Sequence, residues 1–162
     1  MKLLIAISFC IAFLLMVIPV SFEWRWYRPE FIVLLVIYWS MTTPQCFGLF
    51  SAWCVGLFQD LIEFSPLGIN AIGMMLIAYT ANIFYARIQH YVFWHQSLWV
   101  FVFVAAFGFY SNWFIGIFAD RDGNGLFFVA ALTSAIIWSP LAVLMKSIQI
   151  HLRLTTAIHN NY

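Results

Sequence analysis

The sequence predicts an all-α membrane protein with six transmembrane helices. Of its 162 residues, 65% are hydrophobic and 8% are charged, whereas soluble domains average about 45–50% apolar and roughly 25% charged residues. The mean hydropathy is +0.95, and six apolar segments are separated by short turns. A chain of this length cannot bury so much apolar surface in one water-soluble core. We therefore expect a single integral-membrane domain over residues 1–162.

Each predicted helix is an apolar run that begins or ends at a charged, polar or proline residue. The first run, 3–20, follows Lys2 and lacks a small-residue cleavage site, which favours a retained helix over a signal peptide. The others are 31–43, 46–62, 69–86, 98–119 and 126–145. Pro44 separates the second from the third, and Pro140 is expected to kink the sixth. Both arms around Pro44 are shorter than the roughly 20 residues a span needs, which leaves tilted, re-entrant and shielded arrangements open.

The distribution of basic residues predicts the orientation. Six crossings place both termini on one side of the membrane, with four of the seven Lys and Arg residues: Lys2, Arg87, Lys146 and Arg153. Because basic residues concentrate on the cytoplasmic side, we expect both termini to be cytoplasmic. The six acids lie on the opposite side: Glu23, Glu30, Asp60, Glu63, Asp120 and Asp122.

The composition gives little sign of catalysis or of nucleic-acid binding. A formal net charge of +1 lacks the basic surface that nucleic acid requires. The three cysteines have no metal-ligand spacing, and no histidine stands in a recognisable nucleophile arrangement. The segment 120–125 begins like a calcium loop, but position twelve is Ala131 instead of glutamate, so a polar turn is expected. The sequence predicts no catalytic residue, cofactor or metal.

Asp60 and Glu63 are the strongest polar candidates, because carboxylates three residues apart share a helix face. Such a pair can bind a cation or act in acid–base chemistry. The alternative is structural: Asp60 ends the helix and Gly68 forms the following turn. Pro29 and Glu30 suit the start of a helix. Arg28 is then left to pair with Asp60, Glu63 or a lipid phosphate.

A stripe of small residues marks the third helix. Gly48, Ala52 and Gly56 recur at four-residue spacing, which permits close approach of another helix backbone. The stripe serves either packing within the chain or a partner's transmembrane helix. On the partner hypothesis, Ala52→Leu weakens partner binding without unfolding the protein. A similar stripe, Gly108 and Gly116 around Asn112, lies on the fifth helix, and Asn112 is expected to face protein.

The order of these features resembles one family. Arg28-Pro29-Glu30 opens a helix containing Tyr38-Trp39, followed by Gln59-Asp60, by Ser65 to Gly68 and by Tyr79. This arrangement resembles the rod shape-determining MreD family of bacterial inner-membrane proteins. The resemblance transfers Arg28, Pro29, Glu30, Asp60 and Gly68 as motif positions, without a chemical role.

The resemblance implies a non-enzymatic membrane subunit of the cell-elongation complex, needed for rod shape and for organising peptidoglycan synthesis. It implies binding to MreC and, through MreC, to the actin-like filament protein and the peptidoglycan synthases. It also implies a fold like that of the substrate-binding subunits of energy-coupling vitamin transporters. The competing function is a transporter subunit that binds a small molecule through Asp60, Glu63 or Asn112.

Overall fold

The computed structural model describes residues 2–18, 28–88, 93–119 and 127–159, which form α-helices joined by turns. The six helices of this part of the chain are α1 (Lys2–Val17), α2 (Phe31–Thr42), α3 (Leu49–Glu63), α4 (Ile69–Ile88), α5 (Phe93–Ala119) and α6 (Phe127–His159). The all-α prediction is confirmed. The predicted turn at 120–125 lies outside the described residues.

Two helix boundaries differ markedly from the predicted ones. The fifth helix begins at Phe93 instead of 98, and the sixth continues to His159 instead of stopping at 145. The prediction ended the sixth helix where the apolar run ends. No glycine or proline follows Pro140 before His159, so nothing in the backbone stops the helix there. Pro140 itself lies inside α6 without ending it.

Two of the described helices are long and apolar enough to cross a membrane. Their candidate spans are Gln96–Phe114 in α5 and Phe127–His151 in α6. Three further segments are apolar but shorter: Lys2–Val17, Phe31–Thr42 and Ile69–Phe84. The structure thus contains membrane-competent helices together with short ones that need shielding by their neighbours.

Helix α2 forms the centre of the bundle. It contacts α1, α4, α5 and α6, and every residue from Ile32 to Met41 is buried. A helix that is hydrophobic all round belongs in a core, which explains how a segment only about 18 Å long can lack a polar face. The sequence left tilted, re-entrant and shielded arrangements open for this short helix before Pro44. In the structure α2 is shielded by its neighbours.

One stripe of α1 packs against α2. Ile5, Ser8, Phe9 and Ala12 are its buried residues, and their spacing of three and four follows the helical repeat. The Trp39 indole Nε1–H donates to the Ser8 Oγ at 2.9 Å, and the Ser8 hydroxyl in turn donates to the Ile5 carbonyl at 2.7 Å. Both buried polar groups are therefore satisfied at the contact.

Helices α3 and α4 form an antiparallel hairpin, and the two helices approach each other closely at Gly56. A Cβ added to Gly56 would lie 2.7 Å from both the Ala71 nitrogen and the Asn70 carbonyl oxygen. Ala52 is fully buried in the core, whereas a Cβ on Gly48 would meet nothing within 4 Å. The Gly56 end of the predicted stripe therefore packs against the chain's own α4. Ala52→Leu would overfill the core, so it cannot serve as the folded partner-binding variant envisaged from the sequence.

Gly56→Ala is expected to destabilise the protein by about 1–3 kcal/mol, because its methyl group would press on the α4 backbone and force the two helices apart. Thermal unfolding of the purified protein in mild detergent measures the effect. Gly48→Ala is the matched control and should unfold at the wild-type temperature. Equal stability of both variants would contradict the close α3–α4 contact.

Candidate functional site

The acids of the described residues gather at one end of the bundle, called here the acidic end. The start of α2, the end of α3 and the start of α4 meet there, carrying Glu30, Asp60 and Glu63. The Ser111 hydroxyl of α5 donates to the Asn70 Oδ1 at 3.0 Å. The Glu30 N–H donates to the Ser134 Oγ of α6 at 3.0 Å. Five helices are thus connected at this end.

Asp60 holds the turn between α3 and α4. Its fully buried carboxylate accepts hydrogen bonds from the Ser65 hydroxyl at 2.8 Å, the Gly68 N–H at 2.8 Å and the Asn70 N–H at 3.0 Å. The Gly68 and Asn70 amides lie at the start of α4, where backbone N–H groups lack partners within the helix. A negative charge also interacts favourably with the helix dipole there. Asp60, a residue of α3, therefore caps α4.

Two residues of this turn have left-handed backbone conformations. Gly68 has a φ of 102° and Phe64 a φ of 53°. Glycine adopts such angles at no steric cost, which explains the motif position at Gly68. An aromatic residue in this region is unusual. Phe64 ends α3, and its N–H donates to the Asp60 main-chain carbonyl.

Glu63 is held by two side-chain amides. Its Oε1 accepts from the Gln59 Nε2 at 3.0 Å, and its Oε2 accepts from the Asn70 Nδ2 at 2.9 Å. The Gln59 Oε1 is buried without a hydrogen-bond partner among the described residues. We call these seven residues the turn network: Gln59, Asp60, Glu63, Ser65, Gly68, Asn70 and Ser111. Its geometry favours the structural role for Asp60 over acid–base chemistry.

Arg28 contacts the main chain of α1. Its guanidinium donates to the main-chain carbonyl of Leu15 in that helix. Of the partners left open for Arg28, Asp60 instead accepts hydrogen bonds from Ser65, Gly68 and Asn70. Arg28 thus connects the residues before α2 to the end of α1. Pro29 contributes its carbonyl, which accepts from the Phe31 N–H at 2.9 Å.

Glu30 is an acid with a strongly perturbed ionisation. Its pKa is raised from 4.5 to about 7, chiefly because its carboxyl group is removed from water. The negative charge of Glu63 contributes to this rise in pKa, and the positive charge of Arg28 opposes it. Near neutral pH, Glu30 is therefore present in both protonation states.

Sequence reasoning missed the amide and hydroxyl partners of the acids. Gln59, Asn70 and Ser111 were not singled out as site residues, although they are buried polar residues on otherwise apolar helices. That contrast was the available signal.

Asn112, which was singled out, donates its Nδ2–H to the Gly108 carbonyl of its own helix at 2.8 Å. No group of three or more His, Cys, Asp or Glu residues suited to a metal occurs in the described part of the chain.

Comparison with known proteins identifies the family. The model of the family described as "rod shape-determining protein MreD" matches residues 1–148. The chain belongs to the MreD family. It is 31% identical over 96 residues to the rod shape-determining protein MreD of Haemophilus influenzae, an alignment covering 59% of each chain. No solved structure matches the chain.

The MreD match includes all the motif positions carried by the sequence resemblance. Arg28, Pro29, Glu30, Asp60 and Gly68 lie within residues 1–148, and the structure brings them to one end of the bundle. The resemblance to the subunits of energy-coupling transporters stays a prediction. MreD proteins are membrane proteins, in agreement with the two membrane-competent helices.

Asp60→Ala is expected to destabilise the protein by about 3 kcal/mol or more, because it leaves three donors at the α3–α4 turn without acceptors. Thermal unfolding in detergent measures the loss. Ser65→Ala, which removes one of those donors together with its bond, should cost much less, about 1 kcal/mol. Similar losses for the two variants would contradict the capping role of Asp60.

The contribution of Glu30 to the stability of the protein should fall as pH rises from about 4.5 to about 7 and then level off. Between these values the folded protein keeps a proton on Glu30 that the unfolded chain has released, because the folded pKa is raised. Unfolding temperatures measured across this range test the expectation. Glu30→Gln should remove this part of the pH dependence and unfold at a higher temperature than wild type at pH 8. An unchanged pH profile would count against the raised pKa.

Proposed function

We propose that this protein is a non-enzymatic membrane subunit of the bacterial cell-elongation complex, required for rod shape and for organised peptidoglycan synthesis. In this proposal it lies in the inner membrane with six helices crossing the bilayer and both termini in the cytoplasm. It binds MreC and, through MreC, acts with the actin-like filament protein and the peptidoglycan synthases. Membership of the MreD family over residues 1–148 is the observation that carries this proposal.

The arrangement of helix ends supports the six-crossing topology. Hydrogen bonds join the start of α4 to the last part of α5, and the start of α2 to the first part of α6. Helices that alternate in direction bring these ends together. The acidic end then lies on the side opposite the termini, and the cytoplasmic end of the bundle carries Lys2 and Lys146, in line with the positive-inside rule.

The polar residues at the acidic end form hydrogen bonds within the protein, which supports a structural function. Asp60 and Glu63 accept hydrogen bonds from groups of the same hairpin, and Arg28 supports the α1–α2 connection. An active site instead needs a base or nucleophile in reach of a substrate. A protein whose polar groups stabilise helix contacts is suited to presenting a fixed membrane surface to other proteins.

Deletion of the gene in the source bacterium is expected to convert rod-shaped cells into spheres, because the elongation complex loses a subunit. Cell dimensions measured by microscopy test this outcome, with plasmid-borne wild-type protein restoring rods as the control. Supplying nutrients should not restore shape. Rods that persist after deletion, or shape restored by a nutrient, would contradict the proposal and favour a transporter subunit.

A second readout identifies the partners directly. Affinity purification of the tagged protein from host membranes, followed by mass spectrometry, is expected to recover MreC. A tagged, unrelated inner-membrane protein expressed at the same level is the control. Recovery of paired transport ATPases without MreC would refute the partner assignment.

A further inference from the structure

The turn between α3 and α4 stands well short of the end of the neighbouring long helix. Asn70, in the first turn of α4, is bonded to Ser111, which lies eight residues before α5 ends at Ala119. At 1.5 Å per residue, Ser111 is about 12 Å along α5 from its end. Ser111 also falls inside the candidate span Gln96–Phe114. A membrane crossed by this span therefore reaches the level of Asn70 at the start of α4.

The polarity of the turn is the reverse of a turn in water. Its polar members Gln59, Asp60 and Asn70 are almost completely buried, whereas Phe64 is 92% exposed and Leu67 is 69% exposed. A turn in water is expected to show polar groups and to bury its apolar ones. Here the apolar side chains face outward and the polar ones face one another.

Most backbone N–H groups of the turn are also hydrogen-bonded internally. The N–H groups of Phe64 and Ser65 donate to the Asp60 carbonyl, and those of Gly68 and Asn70 donate to its carboxylate. Pro66 has no N–H to satisfy. Non-helical backbone at membrane depth is tolerated only when its polar groups find partners within the protein.

The outward apolar residues continue the surfaces of the two helices. Phe58 and Leu61 on α3 and Ile72 and Leu76 on α4 are exposed, and together they form an apolar surface suited to contact with lipid. Phe64 and Leu67 extend that surface around the turn. Glu63 is the one charged side chain exposed at the turn, and both of its oxygens accept hydrogen bonds from amides.

From these observations we infer that the α3–α4 turn is inserted in the lipid bilayer, with Phe64 and Leu67 in contact with acyl chains. The α3–α4 hairpin is then an arm whose turn stays within the bilayer, made compatible with lipid by the turn network, and α3, at about 22 Å, does not cross the full hydrocarbon thickness. Partial insertion thus replaces the full crossings of α3 and α4 in the proposed topology, and it leaves the other four crossings and the side of both termini unchanged. This insertion does not depend on binding to MreC, so the two proposals can fail separately.

Nitroxide labels on single cysteines test the inference. Phe64→Cys and Leu67→Cys are made in a chain whose native Cys10, Cys46 and Cys54 are replaced by alanine, and each protein is reconstituted in phosphatidylethanolamine–phosphatidylglycerol vesicles. Collision of the label with oxygen, which concentrates among acyl chains, is compared with collision with a water-soluble nickel chelate. Gln45→Cys, at an exposed position in the turn between α2 and α3, is the aqueous control, because the proposed topology puts that turn at the cytoplasmic surface.

The ratio of oxygen to nickel collision should be several-fold higher at positions 64 and 67 than at position 45. A ratio at 64 and 67 equal to that at 45 would place the turn in water and overturn the inference. Two labelled positions are used so that one remains informative if the other variant does not fold. Because no partner protein is present in the vesicles, a high ratio reports contact with lipid itself.

Discussion

The three hydrogen bonds accepted by the Asp60 carboxylate are the interaction on which the acidic end of the bundle depends. They fix the turn after α3 and satisfy backbone groups at the start of α4. The side chain of Asn70, positioned by that turn, then reaches both Glu63 and Ser111. In an apolar surrounding, each of these polar groups would be costly without a partner. A single buried acid therefore organises contacts among three helices.

The same constraint governs the centre of the bundle in another way. Helix α2 is buried along nearly its whole length, so it offers neither lipid-facing nor water-facing surface. The Trp39 indole finds its hydrogen-bond partner within the protein, at Ser8, whereas the buried Ser40 hydroxyl has no partner among the described residues. Short helices are usable in a membrane protein when longer neighbours cover them, and here α5 and α6 are among the helices that contact α2.

Glu30 differs from the other two described acids. Asp60 and Glu63 are each held by several donors, whereas Glu30 lies near the negative charge of Glu63 with Arg28 as its favourable neighbour. Its ionisation therefore responds to pH in the neutral range. The acidic end thus contains a hydrogen-bonded turn held by Asp60 and, beside it, Glu30, whose charge depends on pH in the neutral range. Both parts belong to the motif positions shared in the resemblance to MreD.

The sequence by itself determined the all-α class, the break at Pro44 and the order of the helices, because apolar runs and proline act locally. It also supported the family through Arg28-Pro29-Glu30 and the segment from Gln59 to Gly68. Only the tertiary structure decided which groups meet. The Arg28 guanidinium donates to the Leu15 carbonyl, and the Asp60 carboxylate accepts from the N–H groups of Gly68 and Asn70. Gly56 packs against Ala71. Hydrogen-bond partners and packing faces depend on how helices distant in sequence are placed, and local residue patterns do not encode that placement.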